Sequence, residues 1–220
     1  MPKLDAQTVA ARKRKIEAAA LVLFKRRGFH GVGLREIAKK ARVSLGNLYN
    51  HYRSKDHLYE SILARLGAEF ASPLTPMATH LGQSRFPDDL EDFGRAVGQT
   101  LEEHADFLTL IYADISAFDG RHVRPFYDGL TDRFRLVLGR RFQELREQGR
   151  VAEGVDPAVA FTAVYMQFFN YFVVERMIGA RGHMGLSDDE AIAALSRLFR
   201  EGVERMFRGE DRSPRQRRRS

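Results

Sequence analysis

The chain has 220 residues, 44% hydrophobic and 30% charged, with no cysteine. That composition excludes a disordered chain, a disulfide framework, a thiolate metal site and a cysteine nucleophile. The net charge of +7 is uneven: residues 1–60 hold 14 Lys/Arg against 5 Asp/Glu, residues 61–207 are net acidic, and residues 208–220 hold 6 Arg against 2 acids. A basic head on an acidic body points the head at a polyanion, although a solvated basic face would carry the same charge.

Apolar residues recur at three- and four-residue spacings almost throughout, and no alternating run flanked by hairpin signals occurs, so the fold class is all-α. The N-terminus lacks the apolar stretch of a secretory leader, and a cytoplasmic location is expected. The first helix spans Ala6 to Arg27, with Ile16, Ala19, Ala20, Leu23 and Phe24 inward and Gly28 as its stop. A short helix covers Leu34–Ala41, with Ile37 and Ala38 inward. Ser44 caps another short helix running through His51. Ser54 starts a fourth, with Asp56 in its first turn and Leu58, Ile62, Leu66 and Phe70 inward; Pro73 and Pro76 end or kink it. Gly82–Pro87 reads as a linker. Helices are predicted over 87–103, 105–118, 125–148, 157–179 and 187–208. Asp156-Pro157 and the capping box from Ser187 to Glu190 are their clearest starts, and Gly149 and Gly179 their clearest stops.

The longest uncharged run, Pro157–Val174, contains Thr162, Gln167 and Asn170 and begins at a helix start typical of soluble proteins. It reads as a core helix, and no membrane partner is expected. The expected division is a basic N-terminal domain over 1–54, a larger domain over 55–208 entered through the helix that starts near 55, and a disordered basic tail over 209–220.

The informative segment is Leu34–Tyr52, two short helices joined by about three residues. Such a turn crosses the helices steeply and lets the second enter a major groove: a helix-turn-helix. Ala41 is small where the helices pass, Val43 plugs the turn, and Leu48 and Tyr52 close the core from the second helix. Leu45, Gly46, Asn47, Tyr49, Asn50 and His51 face outward. Asn47 and Asn50 suit base edges or phosphate oxygens; Tyr49 and His51 suit phosphates; Lys55, Arg35 and Lys39 flank as cations. Gly46 is a poor helix former whose use is close approach of the backbone to DNA.

Phe24, Gly28-Phe29 and then LREIAKKARVSLGNLYNHYRSKDHL resemble the N-terminal domain of the tetracycline-repressor (TetR) family over about residues 10–65. The resemblance implies a homodimer that places each Ser44–His51 helix in a major groove of a palindromic operator, and a small effector that binds the larger domain and releases the DNA. It also implies that Asn47, Tyr49, His51 and Lys55 face DNA and that Ser44 caps the recognition helix. Two positions depart from the family pattern. Gly33 stands where threonine is usual, and Arg42 stands where glycine is favoured.

In the larger domain the 157–179 segment is apolar nearly all round and must be covered on all sides. By resemblance it pairs with the 187–208 helix and their two-fold mates, through Phe161, Phe168, Phe172, Leu195, Leu198 and Phe199. Candidates for an effector pocket are Phe70, Phe93, Phe107, Ile111 and Tyr112, with Phe126, Leu130, Phe134, Tyr165 and Phe169. Such a lining favours a lipophilic effector, although aromatics at helical spacing also serve as plain core. The seven histidines, at 30, 51, 57, 80, 104, 122 and 183, have no metal-ligand spacing, and no nucleophile elbow, Walker loop or dinucleotide fingerprint occurs. No catalysis, metal or cofactor is expected. The alternative to an operator-specific regulator is a non-specific or architectural DNA binder, suggested by the basic head and Arg217-Arg218-Arg219.

Overall fold

The computed structural model describes residues 6–209, and all regular structure among them is helical. In chain order the elements are α1 (Ala6–Arg27), α2 (Leu34–Ala41), α3 (Leu45–Tyr49), α4 (Lys55–Phe70), α5 (Pro76–Leu81), α6 (Leu90–Glu103), α7 (Ala105–Phe118), α8 (Arg124–Tyr127), α9 (Leu130–Val137), α10 (Gly139–Glu147), α11 (Pro157–Phe172) and α12 (Asp188–Phe207). A π-helical segment, Val173–Ile178, prolongs α11. The helices form two compact units. The first takes the chain up to Phe70 and then His104–Pro125; the second takes Ala71–Glu103 and the chain from Phe126 onward. The first unit therefore holds α4 and α7 in addition to the segment expected to end at residue 54. The expected tail, apart from Gly209, lies outside the described residues.

In the first unit α1 packs on α2, α4 and α7. Ile16, Ala20, Ile37, Leu48, Leu58 and Ile62 are buried where the periodic pattern places them. Phe24, Phe29, Tyr59 and Phe118 form a ring cluster, with centroids 4.5 Å apart for Phe29–Phe118 and 5.6 Å for Phe24–Tyr59. After α7, the buried Asp114 carboxylate accepts the backbone N–H of His122 (3.1 Å) and Val123 (3.3 Å) and meets His122 Nδ1 at 2.6 Å, which folds the chain back tightly.

The second unit centres on α11, which packs against α6, α9 and α12. Pro157–Ile178 is long and apolar enough to cross a membrane by length and composition, but 61% of its apolar window is buried inside the fold, which marks it as a core helix. Glycines on α6 permit the closest approach. A Cβ on Gly98 would lie 2.5 Å from the Phe172 ring, and one on Gly94 would lie 2.8 Å from Phe168.

Two sequence expectations are corrected in this unit. The 125–148 helix is three helices, because Gly129 takes a left-handed conformation (φ +69°) and the backbone breaks again at Leu138 (φ −99°, ψ 9°). Pro76 does not only end a helix: it opens α5, with Thr75 accepting the Ala78 N–H at 3.3 Å, because proline suits the first helical position.

Alanine for glycine inside a helix ordinarily gains about 1 kcal/mol. At position 98 the added methyl must displace an aromatic ring, and overpacking of that kind costs about 1–3 kcal/mol. Gly98→Ala is therefore expected to lower the urea midpoint. Gly202→Ala on α12, where the new methyl would meet nothing within 4 Å, is expected to raise it.

Candidate nucleic-acid interface

The turn between α2 and α3 is built from backbone geometry that the sequence only partly favours. Arg42 ends α2 in a left-handed conformation (φ 56°, ψ 44°), with its N–H on Lys39 O (3.2 Å) and the Val43 N–H on Ala38 O (3.0 Å). This satisfies the carbonyls at the end of α2, at a cost of about 1 kcal/mol for a non-glycine residue. Ser44 then caps α3, its Oγ accepting the Asn47 N–H at 3.1 Å. The α3 helix stops at Tyr49, and Asn50 and His51 continue as a turn that delivers Tyr52 N–H to Leu48 O at 2.9 Å. At the other end of α2, Gly33 has no side chain to cap with, but Glu36 Oε2 still accepts the Gly33 N–H at 3.1 Å and is held by Arg27 at 2.6 Å.

One buried carboxylate ties α3 to its neighbours. Glu17, 6% exposed, accepts the Tyr52 hydroxyl (2.8 Å), the Ser61 hydroxyl (3.1 Å) and Arg65 Nε (2.8 Å). Burial, and then the bond to Glu17, push the Tyr52 phenol upward, so it remains a donor. Sequence periodicity gave no role to Glu17; the available signal was a charged residue next to Ile16 on the inward line of α1.

Of the residues singled out for DNA, Arg35, Leu45, Tyr49 and Lys55 come together around one groove of about 400 Å³, with Val32, Gly33 and Leu34. Tyr49 is 51% exposed, and Ser44, Gly46 and Asn50 are exposed as well. A side chain on Gly46 would meet nothing within 4 Å, so packing within the fold does not demand glycine there. Asn47 and His51 are half-buried, and Asn47 Oδ1 is buried without a partner. Burial, and then the charges of Lys13 and Arg12, hold His51 below the ordinary histidine value, which favours the neutral ring. Lys55 is less free than a surface cation: its ammonium donates to Phe29 O (2.8 Å) and Val32 O (2.9 Å) and sits 4.1 Å from the Phe29 ring centre. Its main contacts anchor the loop ahead of α2.

The residues read as an effector pocket fall in both units. Phe70, Phe107, Ile111 and the exposed Tyr112 lie in the first; Phe93, Phe126, Leu130, Phe134, Tyr165 and Phe169 lie in the second. Within the second unit, Phe134 packs on Tyr165 (5.1 Å) and Tyr165 on Phe169 (5.7 Å), while Phe126 and Leu130 are half-buried. The interface expectation is revised. Phe161, Phe168 and Phe172 are fully buried within their own unit and Leu195 nearly so, because α11 spends its rings on Phe86, Phe93, Phe134 and α6. Leu198 is 65% exposed and Phe199 half-buried; Val159 and Met166 are the large apolar residues exposed on α11.

The first unit is thus a helix-turn-helix whose second helix offers an exposed polar face beside a groove. Residues 16–62 match the sequence profile of bacterial regulatory proteins of the tetR family. The HTH-type transcriptional regulator RutR of Escherichia coli (strain K12) is 40% identical over 68 residues, 31% of this chain and 32% of RutR. The HTH-type transcriptional repressor KstR of Rhodococcus jostii (strain RHA1) is 37% identical over 62 residues, 28% of this chain and 29% of KstR. The matched part thus spans about a third of the length of these curated relatives. The TetR family transcriptional regulator PfmR from Thermus thermophilus superposes with a TM-score of 0.56 at 23% identity, covering 84% of this chain and 93% of that chain, a likeness of fold. Residues 16–62 therefore belong to the tetR family of bacterial regulatory proteins.

Removing the Glu17 carboxylate would strand a buried phenol and a guanidinium. Glu17→Ala is expected to cost roughly 1–3 kcal/mol, and Tyr52→Phe only about 1 kcal/mol because one donor leaves with its bond. Denaturant unfolding of both variants checks the order.

Proposed function

We propose that this chain is a DNA-binding transcription regulator that acts as a homodimer on a palindromic operator, and that it represses until a lipophilic small molecule releases it. The observation that carries the DNA reading is α3 itself. Its buried side holds Leu48, while Tyr49, Asn50 and an otherwise unneeded glycine face outward beside a groove containing Arg35 and Lys55. Repression is supported by the likeness to KstR, a repressor by name. The dimer reading draws on the exposed apolar residues Val159 and Met166 on α11 and Leu198 on α12, two helices that pack together. The lipophilic effector is supported by the aromatic character of the candidate residues, and no polar anchor for it is assigned.

Selection of bound duplexes from a random pool at about 0.15 M salt tests the reading, since non-specific contacts are weakened there. A recovered palindrome supports an operator-reading dimer, and an unenriched pool favours the architectural alternative. Tyr49→Ala is expected to weaken binding to all sequences, and Asn50→Ala to change which operator is preferred. Gly46→Ala is expected to stabilise the fold by up to about 1 kcal/mol while weakening operator binding. Unchanged binding by all three would reject α3 as the reading helix. Leu198→Asp is expected to leave the protomer folded but monomeric in sedimentation; a dimer that persisted would place the interface elsewhere.

A further inference from the structure

Some cations of the first unit have carboxylate partners. Lys25 pairs with Asp106, Arg27 with Glu36, and Arg65 with Glu17 and Glu69. Arg12, Lys15, Lys40 and Arg42 have no ion pair or side-chain hydrogen bond among the described residues, yet they line one groove of about 570 Å³ between α1 and the end of α2. The groove contains no carboxylate, and Val22 and Val43 contribute to its apolar floor. Four like charges gathered without a counter-charge repel one another, so the arrangement favours an absent anion. One of the four, Arg42, also holds the left-handed conformation that glycine would take without strain. A strained backbone retained with a long cationic side chain points to a use for that side chain.

The groove's position identifies the anion. It lies at the C-terminal end of α2, and the groove of Arg35, Tyr49 and Lys55 lies at the N-terminal end. An eight-residue helix is about 12 Å long, close to the roughly 12 Å width of the major groove of DNA. Two basic grooves at that separation, with the turn at one of them leading into α3, which lines the other, match the two phosphate backbones that border one major groove. We propose that Arg42, with Arg12, Lys15 and Lys40, grips the DNA phosphodiester backbone on the far side of the major groove from Tyr49 and Lys55. This inference rests on the DNA-binding reading of α3 and adds a second backbone contact specific to this chain's Arg42.

The test uses the full chain with an operator recovered by selection. Binding is measured across a salt series for the unaltered protein and for Arg42→Gly, Arg42→Asn and Arg42→Lys. A lost phosphate contact should reduce the slope of log affinity against log salt by about one and weaken binding roughly five-fold at 0.15 M salt. Arg42→Gly and Arg42→Asn should show both effects, and Arg42→Lys should retain most of the slope. Arg42→Gly should also raise the melting temperature by about 2–4 °C through relief of strain, so affinity and stability would move in opposite directions. Lys15→Gln and Lys40→Gln, which leave the turn untouched, should each lower the slope too. Failure of the unaltered protein to bind any duplex would reject the DNA-binding reading, and the inference with it. Normal operator binding with unchanged slopes in the Arg42 and lysine variants would overturn the inference alone.

Discussion

A carboxylate buried among helices must be matched by donors, because its desolvation is costly and water is not there to offset it. Glu17 meets that requirement from three places: the residue that closes the recognition turn, a serine on α4, and an arginine one turn further along α4. The bonds are directional, so they fix more than hydrophobic contact would. Apolar packing of Ile37, Leu48 and Ile62 holds α1, α2, α3 and α4 together but tolerates sliding. The carboxylate sets where Tyr52 lies along α1, and therefore the angle at which α3 leaves the unit.

The second unit depends on a different constraint, the bulk of its phenylalanines. Phe168 and Phe172 lie against α6 where Gly94 and Gly98 leave room. Phe161 touches Phe86, Phe93 and Phe134. Such a core is specified mainly by shape, and at its margin Tyr171 and Arg176 share Asp188.

The sequence was most legible where a residue's role is local. Gly28 and the caps Ser44, Asp156 and Ser187 determine the end of α1 and the starts of α3, α11 and α12 within a few bonds, and the bounds of α2 and α7 follow from periodicity. Arg42 and Gly33 were visible as unusual residues because their neighbours fit a known pattern so closely. Legibility fell where the outcome depended on distant partners. Periodicity says that Phe161, Phe168 and Phe172 are apolar, but α6 and α9 decide whether they cover their own unit or are offered to a second copy. Lys55 looks like a surface cation until the loop carbonyls of Phe29 and Val32 are folded onto it. Glu17 looks like one more charge on a charged helix. The 125–148 segment has helical periodicity throughout, and only the backbone angles at Gly129 and Leu138 divide it.

The anchoring of α4 bears on how the unit moves. Its first residue, Lys55, is bonded to the loop before α2, and Arg65, ten residues and about 15 Å along the axis, is bonded to α1 through Glu17. A rod fastened at two separated points can neither pivot about one of them nor slide past the body that holds it without breaking a half-buried polar bond. The helix-turn-helix and α4 therefore turn as one piece. A force applied at the C-terminal end of α4 would swing the whole helix-turn-helix with the length of that rod as its lever arm, and a few degrees at one end would become ångström displacements at the other.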